Sequence, residues 1–460
     1  MALALLAPSA APAAGLKLSE LMSALSHALD ITEGQPAGHC VRACWIGMHV
    51  GRAMKLPEQT LWELYYTLLL KDLGCSSNAA RICELYLTDD LTFKRDFKLV
   101  DGGLPQVLGF VLGHTGLKAG LAARFKAVAR ILREGGEIAQ ELIETRCQRG
   151  ADIARKLRFP EAVALGVRHL DEHWDGRGRP AGLKGEDIPV HARIALLAQV
   201  VDVFHTASGP EAARREVARR TGGWFDPAAA AAFQKVAGNR LFWAGLSDPD
   251  LQRRLFALEP ARYAVALDDD YLDDIAEAFG QVVDAKSPYT GGHSARVALY
   301  ADLIGAETGL TEERRRWLRR AALLHDVGKL GVSNAVLDKP GRLDADEWEA
   351  VQAHAAHTHA ILSRISAFDE LARVSAAHHE RLDGAGYPLG LKGDEITLET
   401  RIVTAADFFD ALTADRPYRK ALSTAEAFLI MERSVGAAID PAVFEALKRV
   451  VCLLPDRSRP

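Results

Sequence analysis

Leu323-Leu324-His325-Asp326-Val327-Gly328-Lys329 is the stretch on which the reading of this chain turns. It sets an imidazole beside a carboxylate at the end of an apolar helical run. Adjacent residues on a helix point about 100° apart, so the two can approach one centre only near a helix end or bend. Gly328 is read as that end. Farther along stand His378-His379-Glu380, Asp383-Gly-Ala-Gly386-Tyr387-Pro388 and Ala405-Ala406-Asp407. Upstream, Thr290-Gly-Gly-His293 opens another helix. Nitrogen and oxygen ligands thus come from distant parts of the chain. Such a set can hold two divalent metals side by side, and a metal pair suits hydrolysis of a phosphodiester.

The periodicity is helical nearly throughout. Leu318, Ala321, Ala322 and Leu324 recur at helical spacing, and alternating strand patterns are scarce. Thr311 is placed to cap the helix leading to His325. Asp344 with Glu347 and Ser423 with Glu426 read as capping boxes. An all-α fold follows.

The chain also repeats itself. Pro36-Ala-Gly-His39-Cys-Val-Arg42 matches Tyr289-Thr-Gly-Gly-His293-Ser-Ala-Arg296, and Lys71-Asp72-Leu-Gly74 matches His325-Asp326-Val-Gly328. Asp175-Gly-Arg-Gly178-Arg179-Pro180 matches Asp383-Gly-Ala-Gly386-Tyr387-Pro388. Val-Asp202 is aligned with Ala-Asp407. The period is far too long for a solenoid, so one fold has been duplicated. The copies differ in chemistry. Lys71 stands for His325, Arg146 for His354, and Leu170 with Asp171 for His378 and His379. Fixed cations at those places repel metal, so the first copy is expected to be metal-free. A repurposed site at His169 or His173 is the alternative.

The expected layout is a tail at 1–15, a degenerate copy at 16–255 acting as a regulatory or dimerising module, a linker at 256–267 and the complete copy at 268–455. With 460 residues there is material for two cores. A net charge of −5 gives no general attraction for nucleic acid or an anionic membrane, and neither is an expected partner. No run approaches the roughly eighteen apolar residues of a membrane span. The Ala- and Pro-rich start lacks a basic segment, so a cytoplasmic protein is expected. Its six scattered cysteines read as reduced thiols.

Taken together, His325-Asp326, His378-His379-Glu380 and Gly386-Tyr387-Pro388 resemble the HD-GYP family of HD-type metal-dependent phosphohydrolases, over residues 268–455. The resemblance implies two tandem HD-type helical bundles. It implies a first metal among His293, His325, Asp326 and Asp407, and a second held by His354, His378 and His379, with Asp326 bridging. Tyr289 occupies the place of a glutamate that brings a third metal to some members, so two metals are expected, iron or manganese suiting the donors. Lys329 resembles the family lysine facing the metals, and Arg416 and Arg419 lie in a segment like the family's substrate side. Asp383 is expected to orient a histidine, and the Gly386-Tyr387-Pro388 loop to contact diguanylate cyclase partners. The implied activity is hydrolysis of cyclic di-GMP to pGpG or GMP, with Asp326 and Lys329 at the reacting centre. An HD phosphohydrolase for another nucleotide and a non-catalytic signalling scaffold are the competing readings.

Overall fold

The computed structural model describes residues 16–100, 103–117, 119–260, 267–417 and 419–453. The expected tail, most of the linker (261–266) and Tyr418 lie outside them. The first copy contributes α1 (Leu18–Thr32), α2 (His39–Ala53), α3 (Glu58–Leu70), α4 (Ala79–Tyr86), α5 (Asp90–Phe97), α6 (Leu104–His114), α7 (Leu121–Lys156), α8 (Glu161–Arg168) and α9 (Val190–Ser208). It closes with α10 (Pro210–Arg220), α11 (Pro227–Ala237), α12 (Arg240–Leu246) and α13 (Leu251–Phe256). The second contributes α14 (Asp269–Asp284), α15 (His293–Glu307), α16 (Glu312–Leu324), α17 (Asn334–Leu337) and α18 (Ala345–Leu362). After these come α19 (Asp369–Ala376), α20 (Leu398–Thr413), α21 (Thr424–Glu432) and α22 (Pro441–Val451). Among the described residues there are isolated bridges but no strand. None of the helices there is long and apolar enough to cross a membrane.

Local signals start the helices as the sequence suggested. Thr311 caps α16 by accepting from Arg314 N, and the boxes Asp344/Glu347 and Ser423/Glu426 are both formed. Left-handed glycines, Gly38 (φ 84°) and Gly292 (φ 70°), precede the helix-opening His39 and His293. A side chain at either φ would be strained, so both turns specify glycine.

The helices repeat in their packing. α2 packs on α3 and α9 as α15 packs on α16 and α20. Each copy's leading helix also crosses onto its sibling. α1 meets the turn Val327–Gly331 and α18, whereas α14 meets the turn Cys75–Asn78 and α7. Buried side chains of both copies, from Leu25 and Tyr65 to Phe279 and Leu324, form one continuous apolar cluster. Across this seam Tyr271 donates to Leu157 O at 2.8 Å and Lys156 pairs with Glu277 at 2.8 Å. All six cysteines are free thiols.

Candidate metal centre

The centre of the second copy is Asp326, at the residue where α16 gives way to the turn Val327–Gly331. It is 1% exposed. Its two oxygens face different imidazoles. Oδ2 lies 3.4 Å from His293 Nε2 and 3.2 Å from His325 Nε2. Oδ1 lies 3.5 Å from His354 Nε2 and 3.7 Å from His378 Nε2. Asp407 Oδ1, from α20, closes the first group at 3.3 Å from His293 Nε2 and 3.9 Å from His325 Nε2. His379 joins His354 and His378, one ligand atom of each falling within 4.8 Å of the others.

Backbone carbonyls fix the orientation of these rings. His325, His354 and His378 each place Nδ1 against the carbonyl three residues earlier, Ala322 O at 2.7 Å, Val351 O at 2.5 Å and Ser375 O at 2.6 Å. Nδ1 must donate there, so the Nε2 lone pair points inward. His293 meets the same need with Asp410, whose Oδ2 lies 2.7 Å from Nδ1. Arg296 holds the other oxygen of Asp410 at 2.5 Å.

Three of the rings are held in the neutral form that can coordinate. Burial pushes His354 down to about 4 and His379 to about 3, and holds His378 well below its usual value. These rings are neutral at pH 7. Burial also opposes a charged His293, but Asp326, Asp407 and Asp410 outweigh it and raise that ring. Asp326 and Asp407 stay well below the carboxylate range because imidazole neighbours, joined at Asp326 by Lys329, overcome the cost of burial. Nε2 of His293 and of His325, with Oδ1 of Asp326, are buried without a hydrogen-bond partner. Orphaned polar atoms of this kind are costly in a protein interior. Paired imidazole and carboxylate atoms converging from two sides fit divalent cations.

Two glycines let the chain come this close. A Cβ on Gly328 would lie 2.0 Å from His354 O. The expectation that Gly328 ends a helix is therefore corrected: α16 has already stopped at Leu324, and Gly328 lets α18 pass against the turn. A Cβ on Gly386 would meet Arg381 N at 2.5 Å, so the loop can cross the backbone of residues 379–381 only with glycine there. Glu380 pins that loop, accepting from Leu389 N at 2.6 Å and Leu391 N at 2.9 Å, and the Tyr387 ring packs 4.7 Å from His379.

The site opens into a cavity of about 830 Å³, within the range of small-molecule sites. Lys329 lines it with Nζ 2.5 Å from Asp326 Oδ2. Trp348, Tyr387 and Arg416 also line it. Arg419 also borders it, but its guanidinium donates to the carbonyls of Leu412, Lys420 and Ala411, each at 2.8 Å. Asp383 corrects another expectation. It orients no histidine; it holds Arg381 and accepts from Ala385 N at 2.9 Å, bracing its own loop. His357 stands beside Gly331 and His359 is exposed, which leaves His354 as the inward member of that helix.

The first copy keeps this skeleton and fills it differently. A Cβ on Gly74 would strike Arg146 O at 1.9 Å, the counterpart of the Gly328–His354 contact, so Arg146 does occupy the place of His354. Lys71 pairs with Asp72, Arg146 with Asp171, and Lys98 with Glu33 at 2.8 Å. Glu33, Asp72 and Cys75 also sit within ligand distance of one another, with Lys98 Nζ 3.9 Å from Asp72. His173 stacks on Trp224 at 4.2 Å and His169 faces Glu172 at 3.5 Å. The two do not form a ligand group among the described residues.

One alignment shifts by a helical turn. Asp202 meets His39 Nδ1 at 2.6 Å and Arg42 Nε at 2.6 Å. Those are the partners that Asp410, not Asp407, has in the second copy. Gln199 therefore stands in the place of Asp407, its Oε1 buried without a partner. Sequence reasoning missed Asp410 and Glu380. The paired spacing His39/Arg42 and His293/Arg296, and the repeated Glu172 and Glu380, were the signals available.

Fold and site together define a duplicated helical protein of the HD type. A family model described as "HD domain" matches residues 120–227 and 277–443. The chain belongs to that family, in its HD-GYP branch, with a degenerate amino-terminal copy. It is 57% identical over 439 residues, 95% of each chain, to a "3'3'-cGAMP-specific phosphodiesterase 3" of Vibrio cholerae. A crystal structure of a cyclic GMP-AMP-specific phosphodiesterase from V. cholerae matches 96% of this chain and 99% of its own at 50% identity, with a TM-score of 0.66. A cyclic di-GMP phosphodiesterase of Thermotoga maritima is 34% identical over 203 residues, 44% of this chain and 55% of that protein.

Proposed function

We propose that the chain is a metal-dependent phosphodiesterase of cyclic dinucleotides, with 3'3'-cyclic GMP-AMP its preferred substrate. One observation carries the reading: the two oxygens of Asp326, which lines the cavity, are divided between His293/His325 and His354/His378. His293, His325, Asp326 and Asp407 would hold one divalent cation, and His354, His378, His379 and Asp326 the other, with iron or manganese suited to the donors. Such a pair supplies Lewis acidity to a phosphoryl oxygen and activates water.

The chain's own residues do the rest. Asp326 is kept anionic so that it can hold both sets together. Lys329, partly exposed to the cavity, neutralises the phosphate under attack. Arg416 adds a cation to the lining, and Trp348 and Tyr387 offer flat faces to a base. Arg419 acts by fixing the loop that carries Arg416. Water adds across one P–O3' bond, the ribose oxygen leaves as a hydroxyl, and a linear 5'-phosphorylated dinucleotide is released. The preference for GMP-AMP over cyclic di-GMP is supported by near full-length similarity to an enzyme named for the mixed substrate. The test is metal analysis of the purified protein followed by incubation with 3'3'-cyclic GMP-AMP, cyclic di-GMP and cyclic di-AMP. About two equivalents of metal and fastest linearisation of the mixed dinucleotide are expected. Fastest cleavage of cyclic di-GMP would reassign the substrate; no metal and no cleavage would leave a scaffold.

A further inference from the structure

One carboxylate of the first copy reaches the wall of the second copy's cavity. Asp90, at the start of α5, is fully buried. Its Oδ1 accepts from Asn334 N at 2.9 Å and Ser333 Oγ at 3.2 Å. Its Oδ2 faces Lys286 Nζ at 3.4 Å and Lys94 Nζ at 3.5 Å. Burial opposes the anion, yet Lys286, Lys94 and these donors hold Asp90 down at about 2.

The residues it grips form one connected piece. Asn334 Nδ2 donates to Lys286 O at 2.6 Å and to Asp338 Oδ2 at 2.7 Å. Ser287 Oγ donates to Asp338 Oδ1 at 2.6 Å. Lys286, Ser287 and Asp338 line the same cavity as His293, Asp326 and Lys329. Among the described residues, Asp90 is the carboxylate within ion-pair distance of Lys286.

We infer that Asp90 is a positioning residue for substrate binding: from the first copy it fastens the Lys286–Ser287 and Asn334–Asp338 segments, which supply part of the cavity lining. The inference rests on the phosphodiesterase reading above. Without the carboxylate, Lys286 keeps a buried charge with no acid beside it, and such a charge is strongly unfavourable. Its side chain would turn towards the cavity and carry Ser287 with it. The proposed metal ligands are not touched by Asp90, so metal retention and turnover of bound substrate stay intact.

The test is Asp90→Asn in the full chain, with Lys156→Ala as control, since Lys156 also joins the copies by pairing with Glu277 but lies outside the cavity lining. Asp90→Asn should raise KM roughly tenfold with kcat within about threefold and metal content unchanged. Lys156→Ala should move none of these. Hydrogen exchange is the readout independent of activity: protection should fall in 286–290 and 334–338 and hold in α15 and α20. If Asp90→Asn does not fold, Ser333→Ala removes one donor to the same carboxylate and should raise KM about threefold. An unchanged KM in the folded variant, equal effects in Lys156→Ala, or metal loss together with kcat would overturn the inference. An inactive wild type would reject the phosphodiesterase reading instead, and the exchange pattern would still decide the role of Asp90.

Discussion

The two copies bury the same acid and answer it in opposite ways. Asp72 and Asp326 occupy equivalent turns, and both stay ionised although burial opposes it. Around Asp72 the countercharge is covalently attached: Lys71 and Lys98 lie against it and Arg146 covers Asp171. Around Asp326 most of the neighbours are imidazoles, three of them pushed towards neutrality, with Lys329 the one ammonium beside it among the described residues. A side-chain cation neutralises a buried acid once and permanently. A cluster of neutral nitrogens and acids leaves that demand to exchangeable ions. The difference teaches that degeneration here conserves electrostatic balance while exchanging imidazoles for fixed cations.

The sharpest way to break this contrast is to treat the two turns alike. Asp326→Ala should strip metal and lower turnover by about 10³-fold or more, equivalent to roughly 4 kcal/mol. Lys71→Met should leave metal content and turnover at wild-type levels. It should instead cost roughly 3 kcal/mol of stability, because Asp72 loses its nearest countercharge. Elemental analysis, steady-state kinetics and urea unfolding of the two variants separate these outcomes; metal loss in Lys71→Met would erase the contrast.

A smaller effect is expected one shell out. Asp410→Asn should weaken metal binding about 10–100-fold in chelator competition, because His293 loses the acid that orients it. Asp202→Asn, its structural twin, should leave metal affinity unaltered. Equal retention in both variants would mean that Asp410 does not support a ligand.

The smallest effect concerns pH. Burial, reinforced by Lys71 and Lys98, pushes His39 down to about 4. Between its ordinary value near 6.5 and that figure the unfolded chain binds the proton and the folded chain does not. Its contribution is thus complete above pH 6.5 and is lost as pH falls towards 4, roughly 2 kcal/mol by pH 5. Urea midpoints at pH 7 and pH 5 should diverge less for His39→Asn than for the wild type. Identical divergence would show that the ring titrates normally.

Much of this was legible in the chain. The motif order gave the duplicated helical fold, the capping residues gave the starts of three helices, and the contrast of Lys71 with His325 gave the unequal chemistry. Sequence alone does not separate His354 from His357 and His359, because all three share one helix. Which of them points inward depends on how α18 crosses Gly328. The pairing of Asp202 with Asp407 slipped by a turn because Val-Asp and Ala-Asp look alike in sequence. Only the partners His39 and His293 distinguish the two registers. Asp383 sits near the paired histidines in sequence, yet a short side chain in a tight turn satisfies its own loop first.

By itself the sequence determined which chemical groups this protein carries, in what order, and in which copy they survive. Residue type and helical period are local properties. Tertiary structure alone decided that Asp326 shares its oxygens between two histidine sets, that Asp410 and not Asp407 steadies His293, and that Asp90 of one copy fastens the wall of the other. Those are contacts between atoms far apart along the chain. Their geometry is set by the way helices pack, which no run of neighbouring residues encodes.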